Sequence, residues 1–279
     1  DSQNIAKQYL NNSNNEVLWR CFNSEHENSI FEHGYTSEYF GDGEGSLYGE
    51  GVYAFFKPYG AAKRVGTGGV GDKIMKCVLV GGFKDFIILK KDLAEKYYGS
   101  SDIRVQLKHF FGEKYVDVIY QKCLEVANRY GCHILSNGWT GPVAREVFGT
   151  KLGVFKNLVL SSNVKGIVYN GKNDPNAVVI FNPRTVIPIA VTKEKTLQGE
   201  NATDFTMWTY RLGKDLVKKI NKFKDYYSIG EHLIKLGEIK SYLKQPPQYN
   251  LLRVVLNNGK TSFYNIQTET LISKVGFDE

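Results

Sequence analysis

Short apolar runs, bounded by residues that favour turns, recur along most of this chain. Runs of about four to eight residues that are rich in β-branched and aromatic side chains are typical of strands. The pattern therefore predicts strands at residues 17–22, 52–56, 74–80, 86–89, 154–160, 165–169 and 177–181. The last of these runs, AVVIF, is apolar at every position, as expected of a buried strand, and Pro183 follows it.

Apolar residues at helical spacing predict a second set of elements between and beyond these strands. The helices are expected at residues 2–10, 24–31 and 58–65, over most of 91–131, and at 211–224 and 229–243. In the second of them, Ser24 caps the start, Glu27 completes a capping box, and Gly34 supplies the left-handed residue at the end. Pro58 suits the first turn of the third helix, because it has no N–H to leave unbonded there.

The composition changes near residue 195, since residues 196–203 carry Gly, Asn and Thr without an apolar stripe. We therefore predict two parts, residues 1–198 and an accessory segment at 199–279. The predicted helix at 211–224 is strongly basic with one apolar face, which favours packing on that face; binding of nucleic acid or an acidic protein is the alternative. Asn258-Gly259 lies between two β-type runs and predicts a hairpin.

Composition and charge narrow the classes of protein. The chain has 279 residues, of which 42% are apolar, so it can bury a sizeable core and is not a disordered chain. No apolar run approaches the ~20 residues of a bilayer span and no signal peptide is visible, so we expect a soluble, cytoplasmic protein with no membrane partner. Its four cysteines form no Cys-x-x-Cys pair and are expected to be reduced thiols. The net charge of +7 favours polyanionic partners.

The most informative stretch is residues 47–56, LYGEGVYAFF. Gly49 and Gly51 bracket Glu50, and Tyr53 stands at the start of the predicted strand. Because glycine has no Cβ, backbone can approach a flat ligand closely there, and a ring beside such a notch suits stacking of a heterocycle. An ordinary core tyrosine is the alternative interpretation of Tyr53.

Together with residues 18–21, LWRC, this stretch resembles the NAD-binding core of the ADP-ribosyltransferase superfamily. In the poly(ADP-ribose) polymerase branch, a strand ending Leu-Trp-His-Gly precedes a short helix and then Phe-Gly-Lys-Gly-Ile-Tyr-Phe-Ala. The matching segments here are residues 18–21, 28–35 and 48–55. Residues 164–170 and 176–183 are similar to the closing strands of ADP-ribosyltransferase-like domains in large phage and mobile-element proteins. The matching blocks span roughly residues 15–190 in the order of the family.

The resemblance implies a fold and an activity. The fold would be α+β: a split, strongly bent antiparallel sheet pair with helices on its outer faces and an NAD cleft between the halves. The activity would be that of an NAD-dependent mono-ADP-ribosyltransferase, a toxin or effector that uses NAD as substrate and modifies a protein or nucleic-acid acceptor. The oligomeric state is left open.

The resemblance also assigns roles to residues. Arg20 stands where the polymerase branch has the histidine that contacts the ribose, and its guanidinium suits ribose hydroxyl or pyrophosphate oxygens; a surface ion pair is the alternative. Tyr53 matches the tyrosine that stacks on nicotinamide, and the backbone of Cys21 would bond the nicotinamide amide. Tyr48 and Tyr59 are weaker candidates for the second face of the ring.

Gly51 would let the backbone approach the cofactor.

This chain lacks a carboxylate at the position where the family carries its catalytic one. Active polymerases carry glutamate at the start of the last strand, where this chain has Ala177. Glu50 or Asp174 would then supply the charge. Family members without that glutamate are often limited to single-unit transfer or are inactive, so we expect no chain elongation.

Two other classes of function stay open. The first is a catalytically silent ADP-ribosyltransferase-like module that binds a nucleotide, nucleic acid or a protein partner; Ala177 favours it. The second is a structural virion or assembly protein in which this domain is a passenger. The acidic and histidine-rich residues between Glu25 and His33 lack the spacing of a metalloprotease helix, so we interpret them as a solvated helix face and predict no metal site.

Overall fold

The protein is represented by a computed structural model. It describes residues 2–35, 47–66, 71–136, 138–160, 162–192, 208–211, 226–229, 232–235, 239–244, 251–256, 260–265 and 270–271. Within these residues the fold is mixed α+β, as the sequence predicts, with a mostly antiparallel eight-stranded sheet and several helices.

The eight strands of this sheet come from the first 210 residues. They are β1 (Glu16–Phe22), β2 (Val52–Phe55), β3 (Lys73–Leu79), β4 (Phe86–Ile88), β5 (Gly166–Tyr169), β6 (Ala177–Ile180), β7 (Val186–Thr192) and β8 (Trp208–Tyr210). Their order is β4-β5-β6-β2-β1-β3-β7-β8, and β4 and β5 form the parallel pair. Six of the predicted strands are confirmed, and β7 and β8 were not predicted.

The sheet consists of two four-stranded halves that meet at β1 and β2. Strand β1 pairs with β3 along its whole length, from Glu16 opposite Leu79 to Phe22 opposite Lys73. Strand β2 likewise pairs with β6 at all four of its residues. Between β1 and β2, by contrast, the register contains one pair, Trp19 opposite Phe55. Little backbone pairing therefore joins the two halves where they meet.

A proline within strand β7 explains why this strand was not predicted. All seven of its residues are buried, yet Pro188 lies in its middle. Proline cannot donate to a ladder and normally argues against an interior strand. Here the register between β3 and β7 shifts between Lys76 and Cys77, directly opposite Pro188, so the irregularity accommodates the missing donor.

Helices cover the half-sheet that contains β4, β5 and β6. The described α-helices are α1 (Ser2–Asn11), α2 (Glu27–His33), α3 (Pro58–Ala62), α4 (Lys91–Tyr98), α5 (Ile103–Phe111), α6 (Glu113–Arg129), α7 (Gly141–Val143) and α8 (Lys156–Leu160). Helix α6 buries Ile119, Cys123 and Val126 at helical spacing against Ile167 and Val179 of the sheet. Each such buried side chain contributes about 1.5–3 kcal/mol to folding.

Two local predictions are wrong. Residues 156–160 form helix α8 rather than a strand, because the chain before them is already turned: the Gly153 and Val154 N–H groups donate to the Gly149 and Glu146 carbonyls. The capping box of Ser24 and Glu27 is also absent. Asn23 caps a short 3₁₀ turn there, and both the N–H and the hydroxyl of Ser24 donate to the Asp72 carboxylate.

Beyond β8, the described residues of the C-terminal segment lie mainly in strands. These are β9 (Tyr226–Ile229), β10 (His232–Lys235), β11 (Ile239–Lys244), β12 (Leu251–Leu256), β13 (Thr261–Asn265) and β14 (Thr270–Leu271). The helix predicted at 229–243 is therefore wrong, whereas the hairpin of residues 251–256 and 261–266 is confirmed by the antiparallel pairing of β12 and β13. The basic helix predicted at 211–224 lies outside the described residues except for Arg211.

The predicted boundary at residues 198 and 199 lies in a stretch that the structure does not describe. Beyond it, β8 pairs with β7 and so belongs to the eight-stranded sheet. Among the helices of the described residues, none has the length and apolar character needed to cross a bilayer.

Candidate functional site

A cavity of about 370 Å³ opens where the two half-sheets meet. It is lined by Arg20, Cys21, Leu47, Tyr48, Tyr53, Ala54, Phe55, Arg64, Tyr169, Asp174 and Ala177. The lining residues come from strands β1 and β2, from the ends of β5 and β6, and from the segments next to these strands. Because the backbone pairing between β1 and β2 stops after one register pair, side chains rather than a continuous ladder fill this part of the sheet.

Arg20 connects the two halves beside the cavity. Its Nη1 donates a hydrogen bond of 2.9 Å to the carbonyl oxygen of Tyr53 across the junction. The guanidinium carbon also lies 5.5 Å from the centre of the Tyr35 ring, a cation–π distance. Arg20 is partly buried and is thus held in place rather than extended into solvent. Arg20 and Tyr53 thus both line this cavity, and their role in binding a ligand stays a prediction.

Tyr53 is partly buried in the cavity wall and is held by hydrogen bonds at its hydroxyl and at its backbone carbonyl. Its hydroxyl donates a 2.6 Å hydrogen bond to the carbonyl oxygen of Gly49, while its backbone carbonyl accepts from Arg20. Burial raises the pKa of Tyr53 above the ordinary value for tyrosine. The phenol is therefore neutral at physiological pH and offers the cavity a flat apolar surface.

The glycines on either side of Glu50 pack against protein. A Cβ at Gly51 would lie 2.6 Å from the carbonyl oxygen of Ile180 in β6. Gly49 has a φ of +113°, and a Cβ there would overlap the Thr150 hydroxyl. Gly51 does not line the cavity. Ile180 and Thr150 therefore occupy the space of the expected ligand notch, and both glycines serve packing.

Tyr48 and Tyr169 form a stacked pair on another wall of the cavity. Their ring centres are 4.0 Å apart with an angle of 29° between the planes, and Tyr53 lies 6.4 Å from Tyr48 at a tilt of 50°. Burial raises the pKa of Tyr48 to about 12, with the nearby carboxylate of Asp174 as the second cause. Burial likewise holds the pKa of Tyr169 well above its usual value. The wall is thus aromatic and uncharged.

Arg64 and Asp174 form an ion pair at the cavity, through a hydrogen bond from Nη2 of Arg64 to Oδ1 of Asp174. Arg64 follows α3, and Asp174 lies in the turn between β5 and β6, so the fold joins residues 110 positions apart. With Arg20, the lining carries two guanidinium groups and one carboxylate, a formal net charge of +1.

Two predicted site residues lie away from the cavity. Glu50 is exposed and is not part of the lining, although its neighbour in sequence, Gly49, accepts the hydrogen bond from Tyr53. Tyr59 is 47% exposed on α3, with the Lys63 ammonium 5.4 Å from its ring centre, and it too is outside the lining. The structure therefore brings Asp174, rather than Glu50, to the cavity.

Cys21 lines the cavity. Burial raises the pKa of its thiol to about 11, and the neighbouring guanidinium of Arg20 lowers it by a smaller amount. The thiol is consequently protonated at neutral pH and is a poor nucleophile. A backbone contact from Cys21 remains a prediction.

Sequence reasoning missed the part played by Tyr169. It is the last residue of the GIVY strand, and the only available signal was an aromatic residue at the end of an apolar run, next to the turn that carries Asp174. Ala177, which the resemblance matches to the glutamate of the polymerase branch, also lines the cavity. No group of three metal-ligating side chains occurs in the part of the chain that the structure describes.

Comparison of the chain with family models, with curated proteins and with solved structures found no match in any of the three searches. The case for a function therefore depends on the side chains that surround this cavity.

Proposed function

We propose that the chain binds NAD in the cavity between the half-sheets and acts as a mono-ADP-ribosyltransferase. The observation that supports this function best is that Arg20 and Tyr53 line one cavity and are joined by a 2.9 Å hydrogen bond. The two half-sheets would then be the two halves of an ADP-ribosyltransferase-like fold, with the cofactor at their junction.

The chemistry of the walls suits a flat ring attached to an anionic sugar phosphate. Tyr53 and the Tyr48–Tyr169 pair provide neutral aromatic surfaces for a pyridine ring. Arg20 provides fixed N–H donors for ribose hydroxyl or phosphate oxygens. The volume of about 370 Å³ falls within the range of ordinary small-molecule pockets and suits the nicotinamide riboside part of NAD.

In the proposed reaction, the bond between C1′ of the ribose and the nicotinamide nitrogen breaks, and nicotinamide leaves with the electron pair. A nucleophilic oxygen or nitrogen of the acceptor forms the new bond to C1′ and loses its proton to solvent. The cavity contributes by positioning the ribose and by excluding water from most of it. The protonated thiol of Cys21 does not compete as a nucleophile.

The acceptor is a protein or a nucleic acid. A net charge of +7 favours acceptors that carry negative charge, because the electrostatic field of the chain raises their local concentration.

A second candidate function is a catalytically silent module that holds NAD or a related nucleotide. The specific observation in its favour is Ala177, which lines the cavity at the position where the polymerase branch carries its glutamate. Alanine offers no charge to a reacting ribose, so this candidate predicts binding without turnover.

Release of nicotinamide from NAD labelled in the nicotinamide ring separates the two candidates. We expect wild-type protein to release label, and Arg20→Ala and Tyr53→Ala to lose the release. The control is Lys7→Ala, which removes an exposed cation from α1 and should behave as wild type. Binding of NAD by calorimetry without release would favour the silent module, while absence of both binding and release would reject NAD as the ligand in either candidate.

A further inference from the structure

We propose that Asp174 is the catalytic carboxylate of this cavity and that Arg64 is the residue that positions it, an inference that rests on the proposed function. The position where the polymerase branch carries its glutamate is occupied by Ala177, so any charge offered to the ribose has to come from another part of the chain.

Asp174 meets the first requirement, which is location. Among the described residues that line the cavity, it is the one that carries a carboxylate. Its side chain is 33% exposed, so it is accessible to a ligand and still partly shielded from water. The effect of Asp174 on the pKa values of Tyr48 and Tyr169 places its charge close to the stacked aromatic wall.

The turn that carries Asp174 is held by several hydrogen bonds. The N–H of Gly171 donates to the Asp174 carbonyl at 2.9 Å, and the N–H of Asn176 donates to the side-chain oxygen of Asn170 at 2.7 Å. Asn170 is buried, and its own N–H donates to the hydroxyl of Thr140 at 3.0 Å. A turn closed in this way fixes the direction of its side chains, as a catalytic group requires.

The same turn directs Asn176 away from the cavity. Asn176 has a φ of +53°, and its side-chain oxygen accepts a 2.6 Å hydrogen bond from the Lys90 ammonium. Its backbone carbonyl accepts from the Phe56 N–H at 2.9 Å. Asn176 does not line the cavity, whereas Asp174 and Ala177 do. The left-handed residue thus lies between two cavity-lining residues, with its own side chain bonded to Lys90.

Arg64 orients the carboxylate. Its guanidinium bonds Oδ1 of Asp174, which leaves Oδ2 for an interaction with a ligand. Arg64 lies just after α3, a helix of five residues that begins with Pro58 next to β2. Its position is therefore tied to strand β2, which contributes Tyr53, Ala54 and Phe55 to the cavity lining.

The role of Asp174 follows from the charge that develops during the reaction. As the bond from C1′ to the nicotinamide nitrogen breaks, positive charge builds on the ribose ring, and a fixed carboxylate stabilises an oxocarbenium-like transition state more than the ground state. The electron pair of the broken bond leaves with nicotinamide. The acceptor forms the new bond to C1′, and the proton of the acceptor passes to solvent.

The test compares nicotinamide release and NAD affinity in Asp174→Asn and in a matched control, Asp117→Asn, which changes an exposed aspartate on α6. We expect kcat to fall by about 100-fold or more in Asp174→Asn. The Kd for NAD should stay the same or decrease, because the phosphates of NAD are negative and the variant lacks a negative charge that would repel them. Arg64→Gln should lower kcat as well, and the double variant should equal Asp174→Asn, since Arg64 acts through Asp174.

Asp174→Glu provides a second variant in case the asparagine form does not fold. It keeps the charge but displaces the carboxylate by one methylene, so kcat should fall while the Kd for NAD stays near that of wild type. Thermal unfolding of each variant checks that the fold is intact.

Three results would overturn the role of Asp174. One is an active wild type in which Asp174→Asn is as fast as Asp117→Asn. Another is loss of release in Glu50→Gln together with full release in Asp174→Asn, which would assign the carboxylate to Glu50. The third is a wild type that releases no nicotinamide, which rejects the proposed function itself and is recognised from the wild-type measurement alone.

Discussion

The guanidinium of Arg20 donates a 2.9 Å hydrogen bond to the carbonyl oxygen of Tyr53, and so crosses the place where the two half-sheets have little backbone pairing. The one register pair between these strands is Trp19 opposite Phe55. A side chain on β1 thereby replaces a ladder hydrogen bond to β2. The residues proposed to hold NAD are also the residues that join the two halves of the sheet.

Loss of this hydrogen bond should therefore lower stability as well as activity. We expect Arg20→Ala to reduce the free energy of unfolding by about 1–2 kcal/mol, because a partly buried, charge-assisted bond is removed. Denaturant unfolding measures the change, with Lys7→Ala as control, since an exposed substitution usually changes stability by less than about 0.5 kcal/mol. Equal stability of both variants would show that the junction does not depend on Arg20.

The ring and the hydroxyl of Tyr53 should have separable roles. Tyr53→Phe loses the 2.6 Å bond to the Gly49 carbonyl, which should cost about 1 kcal/mol of unfolding free energy, but it keeps the ring. NAD affinity should then stay close to that of wild type. Tyr53→Ala removes the stacking surface and should weaken NAD binding by about tenfold or more. Calorimetric titration decides the point, and similar affinities for the phenylalanine and alanine forms would contradict stacking on this ring.

Gly49 should be far less tolerant of a side chain than a glycine with open space around it. A Cβ at Gly49 would overlap Thr150, whereas a Cβ at Gly81 meets nothing within 4 Å, although both residues have positive φ values of +113° and +81°. Gly49→Ala should therefore be less stable than Gly81→Ala by about 1–3 kcal/mol, the usual cost of overpacking. Both substitutions strain the backbone, because both glycines have positive φ, but only Gly49→Ala also meets Thr150. The difference in unfolding free energy between the two variants, from thermal or denaturant unfolding, therefore measures the cost of that contact. Equal losses would mean that Thr150 moves aside.

Stability should decrease at alkaline pH because of the buried tyrosines. The pKa of Tyr48 is about 12 in the folded protein against 10.0 for the ordinary side chain, and the pKa values of Tyr53 and Tyr169 are also raised. The unfolded state therefore loses protons first. The contribution is fully present below about pH 10 and is lost as the pH rises toward about 12, by up to about 1.4 kcal/mol per pH unit for each tyrosine.

Tyr48→Phe isolates one of these contributions, because phenylalanine cannot ionise and still stacks on Tyr169. Its unfolding free energy should fall less steeply than that of wild type between about pH 10 and pH 12. Denaturant unfolding at several alkaline pH values measures both slopes. Parallel slopes would show that Tyr48 ionises equally in the folded and unfolded states.

Much of the fold could be predicted from the sequence, because most strands of the large sheet are short, almost wholly apolar runs. Besides the unpredicted β7 and β8, two segments were assigned the wrong type of element. Residues 229–243 carry apolar residues at helical spacing, but they form β10 and β11 where they are described. Periodicity in short segments does not separate the two structures, and pairing with a neighbouring strand decides the outcome. The strand predicted at residues 154–160 was wrong because the hydrogen bonds of the preceding turn start a helix at 156–160.

The candidate site was predictable only in part. Arg20, Tyr48 and Tyr53 lie on adjacent strands or in the loop before them, so local motifs identified them. Tyr169 was not predicted, and Asp174 was predicted only as an alternative to Glu50. Both reach the cavity because β6 lies between β5 and β2, an order that no sequence pattern specifies. The packing role of the glycines around Glu50 was also invisible, since it depends on contacts with Ile180 and Thr150.

The most direct measurement is a structure of the protein with NAD bound. We expect the nicotinamide ring to lie against Tyr53 in the cavity between the half-sheets, with ribose or phosphate oxygens within hydrogen-bonding distance of Arg20. NAD bound elsewhere, or a cavity that stays empty of NAD at saturating concentration, would contradict the proposed function.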